Sequence, residues 1–408
     1  MKKDTQLFNL IKKEEKRQKS VVNLIASENY VSDAVLDALG SVFTNKYAEG
    51  YPGRRYYGGN AVADEMENLA QERALTLFKL SPKKWAVNVQ PYSGSPANIA
   101  VYLALVPIGG KIMGMQLAMG GHLTHGHKVS ASGKIWQQIP YGVDKKTERL
   151  NYDELLNIAL RERPKLIVAG FTAYPRVIEW KRFRSIADTV GAILMIDMSH
   201  IAGLVAGGAH PSPFPYADVV TTTVHKTLRG PRAAMIFSRR VAFGEAPAAG
   251  KPQPMLHDLI DKAVFPGMQG GPHLNQIAAI AVALEEAMQP QFKKYAAQIV
   301  KNARVLGSEL QKKGWRIVSG GTENHLLLVD TWARGVTGAD ASDALEKHGI
   351  IVNKNTIPYD TRSPFSPSGI RIGTAAVTTQ GMKERDMKKI AGRIDEILEN
   401  ARSLKTRE

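Results

Sequence analysis

LIVAGFTAY (166–174), AILMIDMSH (192–200) and VVTTTVHK (219–226) are three short apolar runs that each end in polar, reactive residues. Continuous apolar stretches of this length suit strands buried on both faces, the condition of a parallel sheet. Helix-like stretches at 153–161 and 180–190 lie between runs, and AAMIFS (233–238) supplies a further strand candidate. Strand–helix alternation of this kind predicts an α/β fold with a mostly parallel sheet covered on both sides. In such sheets ligands gather beyond the carboxyl ends of the strands. The residues found there are Thr172 and Tyr174 after the first run, Asp197 and His200 after the second, and His225 and Lys226 after the third.

Outward from this centre, a charged helix is expected over 4–19, then the irregular segment YAEGYPGRRYYGG (47–59) and an amphipathic helix at 65–78. The glycine-rich VFPGMQGGP (264–272) marks a loop before a long helical pattern from about 274 towards 312, interrupted near Pro290. The remainder reads as short strands with helices at 338–348 and 380–403, where Ile390, Ile394, Ile397 and Leu398 share one face. The expected organisation is an N-terminal arm at 1–60, a large domain at 61–275 and a small α+β domain at 276–408.

Composition narrows the class. Of 408 residues, 44% are hydrophobic and 23% charged, the balance of a soluble enzyme. The absence of cysteine excludes disulfides, thiolate metal sites and thiol redox catalysis, and a reducing cytoplasm is the expected address. The apolar stretch at 277–284 is far too short to span a bilayer, and the acidic residues near the N-terminus argue against a transit peptide. A net charge of +16 attracts anions in general. It is scattered, however, with no basic stripe interleaved with aromatics, so a solvated basic surface is expected rather than a nucleic-acid site.

An acid and a lysine at neighbouring strand ends suit pyridoxal phosphate (PLP). Its aldehyde needs a lysine for a Schiff base, and its pyridine nitrogen needs a carboxylate to stay protonated. A salt bridge capping the sheet is the plainer reading of Asp197 and Lys226. For the phosphate, Ser93-Gly94-Ser95-Pro96 follows the strand-like VNVQ and opens an apolar helix, with Ser95 as the expected N-cap and Pro96 as the first helical residue. Gln269-Gly270-Gly271-Pro272 is a second glycine-rich start before a helix. His122, His125 and His127 cluster in GGHLTHGH without a flanking acid, so no metal is expected there. Arg371, in SGIRIGT, is the group that can hold a carboxylate bidentately.

The wording of the motifs is more specific than their chemistry. NLIASENY (23–30), TNKYAEGYPGRRYYGG (44–59), VQPYSGSPAN (89–98), GGHLTHG (120–126), DMSHIAGLVA (197–206), TTTVHKTLRGPR (221–232), FPGMQGGP (265–272), VSGGTENHL (318–326) and SGIRIGT (368–374) together resemble the serine hydroxymethyltransferases. These are PLP enzymes of fold type I, the aspartate-aminotransferase-like architecture. The resemblance implies transfer of the serine hydroxymethyl carbon to tetrahydrofolate, giving glycine and methylenetetrahydrofolate, in a homodimer with shared active sites.

Residue by residue, it implies that Lys226 forms the Schiff base, with Thr223 and His225 beside it in the catalytic set. Asp197 would pair with the pyridine nitrogen, His200 would lie beside the cofactor and substrate, and His122 would stack on the ring. Thr172 would supply a hydroxyl. Ser93, Gly94 and Ser95 would hold the phosphate, joined by Gly270 and Gly271 from a second subunit. Arg371 and Ser27 would bind the substrate carboxylate. Glu49 would be the acid/base at the hydroxymethyl group, with Tyr47 and Tyr57 nearby, all three reaching across the dimer. Leu117, Gly121, Leu123, Asn355, Ser363, Pro364 and Phe365 would contact folate. Four positions depart from the usual pattern: Val224 replaces threonine, Ser199 alanine, Met268 glycine and Met119 a polar residue. The alternatives are a folate-independent aldolase acting on 3-hydroxy amino acids, and nucleic-acid binding as an additional role.

Overall fold

The apolar runs become the strands of a seven-stranded sheet. They are β1 (Trp85–Asn88), β2 (Lys111–Met115), β3 (Gln137–Tyr141), β4 (Leu166–Gly170), β5 (Ile193–Asp197), β6 (Val219–Thr223) and β7 (Ala234–Arg239). The computed structural model describes residues 4–244 and 252–405. The strand order is β1-β7-β6-β5-β4-β2-β3. Only β7 runs against its neighbours; the others are mutually parallel, as the strand–helix alternation predicts.

Side chains alternate across this sheet. Ile167, Ala169, Leu194, Ile196 and Val220 enter one apolar cluster with Leu155, Phe183 and Ile277. Leu166, Val168, Met195 and Val219 enter a second, with Val101, Tyr102, Leu105 and Ile260. Because both faces are covered, successive positions in the middle of β4 and β5 are apolar, and each buried Val, Leu, Ile or Met side chain there contributes about 1.5–3 kcal/mol.

Of the helices, α1 (Thr5–Ser20), α2 (Gly94–Leu105), α3 (Leu274–Met288) and α4 (Pro290–Lys312) matter below. The break between α3 and α4 has a local cause. Pro290 takes the first helical position and holds Gln289 extended, at φ −71° and ψ 148°. Among the described residues, no helix is long and apolar enough to cross a membrane.

The C-terminal part forms an antiparallel sheet of β8 (Arg316–Ile317), β9 (Leu326–Asp330), β10 (Asn353–Asn355) and β11 (Gly369–Gly373), in the order β8-β9-β11-β10. Its separate core joins Leu327, Val329, Ile370 and Ile372 to Leu306, Trp315, Ile394 and Leu398. Leu24 belongs to this core too, and Val22–Asn23 pairs in parallel with Ile350–Ile351. The chain following α1 is thereby tied to the C-terminal sheet, and this carries Ser27 to the cleft between the two sheets.

Candidate active site

A cavity of about 300 Å³ opens where β4, β5 and β6 end and α2 begins. Its wall includes Ser27, Ser93, Gly94, Ser95, His122, Thr172, Asp197, His200, Thr223, His225 and Lys226, all expected from the sequence. The start of α2 differs in register from the expectation. Ser93 is the N-cap and Gly94 the first helical residue, which puts Pro96 third. The shift is physically neutral for proline, since amides throughout the first turn lack an intrahelical acceptor. Ser93 makes no side-chain capping bond, and Ser93, Gly94 and Ser95 all line the cavity. Gly94 is needed for closeness: a Cβ there would lie 2.7 Å from Thr223 Cγ2.

Asp197 ends β5 with a full set of donors. Its Oδ2 accepts from Asn98 Nδ2 at 2.9 Å and from His125 Nε2 at 3.1 Å. Its Oδ1 accepts from the Ser199 hydroxyl at 2.6 Å and the Ser199 amide at 3.1 Å. Burial alone raises a carboxyl pKa, but the donors from His125, Ser199 and Asn98 outweigh it and hold Asp197 well below the usual range. Across the cavity, Lys226 Nζ donates to Thr223 Oγ1 at 3.3 Å. Burial pushes its pKa down to about 8, with Asp197 opposing the shift and Arg371 and Arg232 adding to it.

Burial holds His122, His200 and His225 below the ordinary histidine value. His122 is pushed down to about 4 by burial and by His125. Asn98 donates to Thr124 Oγ1, so that hydroxyl gives its proton to His122 Nδ1 at 2.7 Å and leaves the ring's own proton on Nε2. Burial and Lys226 push His225 to about 3, and its buried Nδ1 has no partner among the described residues. His200 is held well below its ordinary value by burial and lies against His325, with ring nitrogens 3.3 Å apart. His125, which sits in the histidine-rich loop, serves Asp197. No group of three metal-ligating side chains occurs among the described residues.

Arg371 is the third residue of β11. Its Nη1 donates to the Thr172 carbonyl at 2.7 Å and its Nε to Asn353 Oδ1 at 3.1 Å. Burial alone lowers it to about 10, and among the described residues no carboxylate pairs with it.

Glu49, Tyr47, Tyr57, Gly270 and Gly271 do not line this cavity. They form a second group. Tyr47 donates to Glu49 Oε1 at 3.3 Å, its ring meets Tyr57 edge-on at 5.0 Å, and a Cβ on Gly271 would come within 3.1 Å of the Tyr47 ring. A buried clamp fixes the backbone on either side of Glu49. Arg55 Nη1 donates to the carbonyls of Ala48 and Gly50, while its other nitrogens engage Asp64 and the fully buried Glu67. Tyr47 and Tyr57 remain about half exposed, at 54% and 49%.

The remaining expected residues do not line this cavity. Leu117 lies in a short 3-10 turn, and the Gly121 carbonyl accepts from the Thr172 hydroxyl at 2.7 Å. Thr356, next to Asn355, reaches the Ala118 carbonyl at 3.5 Å. Leu123 and Phe365 are exposed, and the Ser363 hydroxyl accepts from the Phe365 amide on the far side of Pro364. Val224 is fully buried in the core beneath the sheet, so a threonine there would not have placed its hydroxyl in the cavity.

Asn98, His125, Ser199, His325 and Arg55 were missed as site residues. Asn98 had a readable signal, as a polar residue in the apolar ANIAVYLAL. His325 stands in the motif VSGGTENHL, but its partnership with His200 had no local signal, because the two meet only through the packing of the chain.

The sequence matches the serine hydroxymethyltransferase family profile over residues 1–394. It is 57% identical over 384 residues to a serine hydroxymethyltransferase of Acidobacterium capsulatum, spanning 94% of this chain and 86% of that protein. The corresponding protein of Koribacter versatilis is 56% identical over 387 residues, covering 95% and 87% of the two chains. That of Desulfotalea psychrophila is 53% identical over 397 residues, covering 97% and 89%.

Proposed function

Because the chain belongs to the serine hydroxymethyltransferase family, which moves one carbon between serine and tetrahydrofolate with PLP, we propose that the cavity beyond β4–β6 performs that transfer with the residues named here. One observation carries the reading. Asp197 ends β5 and Lys226 follows three residues after the adjacent β6, both in the wall of one cavity and near a buried guanidinium that no carboxylate of the described residues neutralises. That set fits PLP with an amino acid: an amine for the aldehyde, an ionised acid for the ring nitrogen, free amides for the phosphate and Arg371 for the substrate carboxylate. PLP, when bound, supplies an electron sink that loosens the bonds to the substrate α-carbon.

Lys226, depressed to about 8, is partly a neutral amine at physiological pH, able to attach PLP and to hold or return a proton. Asp197, held ionised, would keep the pyridine nitrogen protonated. His122, with its neutral ring, would contact the cofactor ring, and Thr172 and His200 would be the polar groups beside it. Ser93, Gly94 and Ser95 would hold the phosphate. Ser27 and Arg371 orient the amino acid. Leu117, Gly121, Leu123, Asn355 and the 363–365 segment form the folate-facing rim. A homodimer with shared sites is supported by the separation of the Glu49 group from the cavity of its own chain: Tyr47, Glu49, Tyr57, Gly270 and Gly271 then complete the partner's site. We expect the enzyme to work in the cytoplasm, where a cysteine-free chain meets no redox demand.

The test is the absorption spectrum of the PLP-loaded protein titrated with glycine and tetrahydrofolate. A new long-wavelength band that needs both supports the transferase, whereas the same response to 3-hydroxy amino acids with no effect of folate would favour the aldolase. The names of the relatives favour the former.

Glu49→Gln preserves size but removes the acid. It is expected to lower folate-dependent turnover roughly 100-fold or more while leaving glycine affinity near normal. Mixed dimers of Lys226→Ala with Glu49→Ala are expected to recover up to about half of the activity per dimer, since one of the two sites is then intact. No recovery after verified subunit exchange would place both residues in one chain's site.

A further inference from the structure

We propose that Ser199 is a positioning residue for PLP: its hydroxyl fastens the Asp197 carboxylate to the backbone of Thr223, holding the acid in register with the lysine loop. The inference rests on the reading of Asp197 and Lys226 given above. Strands β5 and β6 are paired in register as far as Asp197 and Thr221. Just beyond, the Met198 amide donates to the Thr221 carbonyl at 3.0 Å. The backbone ladder then stops, and a side chain continues it. Ser199 Oγ accepts from the Thr223 amide at 3.0 Å while donating to Asp197 Oδ1 at 2.6 Å.

The Thr223 amide has reason to need this acceptor. Val224 N–H goes to the Ala233 carbonyl towards β7, so Thr223 N–H points the other way, towards β5. It is buried there, and alanine at 199 would take away this acceptor. Thr223 in turn accepts from Lys226 Nζ. The links run Asp197–Ser199–Thr223–Lys226, joining the two groups that grip opposite ends of the reactive part of the cofactor. The bond to the carboxylate is short and charge-assisted, the stronger class of hydrogen bond.

Ser199→Ala removes one hydroxyl and leaves the rest of the packing in place, so the variant should fold. The experiment measures release of PLP from the holoenzyme into an excess of a scavenging apo-protein, together with the thermal midpoint of PLP-free protein. Ser199→Ala is expected to release PLP roughly tenfold faster, the lower end for loss of a hydrogen bond to a charged group, and also to lower the PLP-free midpoint, because the buried Thr223 amide loses its acceptor. In an Asp197→Asn background the same substitution is expected to change release less than about twofold, because the two residues act as one unit. Wild-type release rates in Ser199→Ala overturn the inference. So does a lowered PLP-free midpoint with unchanged release, which is a purely structural role, or an equal effect in both backgrounds. If wild-type protein does not hold PLP on Lys226 at all, it is the underlying reading that fails.

Discussion

Lys226→Ala is expected to lower serine–folate turnover by roughly 10²–10⁴-fold, the range for removing a positioned acid–base group, and to abolish covalent retention of PLP. In the proposed reading the amine would do two things at one place, holding the aldehyde and moving a proton at the substrate α-carbon. The cavity still offers the phosphate amides, Asp197 and His122, so the variant should bind PLP without a covalent bond. Borohydride reduction of the wild type followed by peptide mapping should mark the peptide containing Lys226, and the variant should remain unmarked. A mark on another lysine sinks the assignment. The pH dependence follows from the same geometry. The neutral amine is the nucleophile, and burial pushes Lys226 down to about 8. The rate of PLP attachment should therefore rise with pH and level off above about pH 8, well below the ordinary lysine value near 10.5. A rate still climbing steeply beyond pH 9 or so would mean that the lysine is not depressed.

Arg371 carries the second large effect. Its buried guanidinium spends one nitrogen on the Thr172 carbonyl and one on Asn353, and without a protein carboxylate it is left for the substrate's. At its lowered value of about 10 it is still charged at neutral pH. Removing one partner of a buried ion pair costs about 3–5 kcal/mol, or a few hundred-fold or more in affinity. Arg371→Ala is accordingly expected to weaken glycine and serine binding by that factor. Arg371→Lys should fall between, since a point charge replaces a planar fork and the Thr172 and Asn353 contacts cannot both be kept. Glycine titrations followed by cofactor absorbance measure this without folate and separate it from the one-carbon step. Arg371→Lys binding glycine as tightly as wild type would refute the role, and PLP retention should be unaffected in either variant.

What the sequence by itself determined about this protein is what local physics encodes. Short apolar runs between helical stretches favour strands covered on both faces, and polar residues that follow such runs then lie at the carboxyl ends of the strands, where ligands bind. Ser93-Gly94-Ser95-Pro96 announces a helix start because proline without an amide is tolerated only there, although the first turn accepts it at more than one position, which is why the cap lies at Ser93 rather than Ser95. Motif wording located the cavity residues as well as the family, since nine ordered motifs leave little freedom of identity.

Only the tertiary structure decided which of these residues touch. The strand order brings Thr223 beside Asp197, and Ser199 then ceases to be a small departure and becomes a bridge. The packing of one sheet against the other sets His325 on His200, 125 residues away in sequence. Arg55 grips both carbonyls flanking Glu49 only because Glu67, on the following helix, is buried with a charge to neutralise. Val224 turned out to face the core, because successive residues leaving a strand point to opposite sides. Burial patterns and helix caps act within a few residues and are written in order along the chain. Side-chain partnerships depend on distances set by topology, which no local stretch contains.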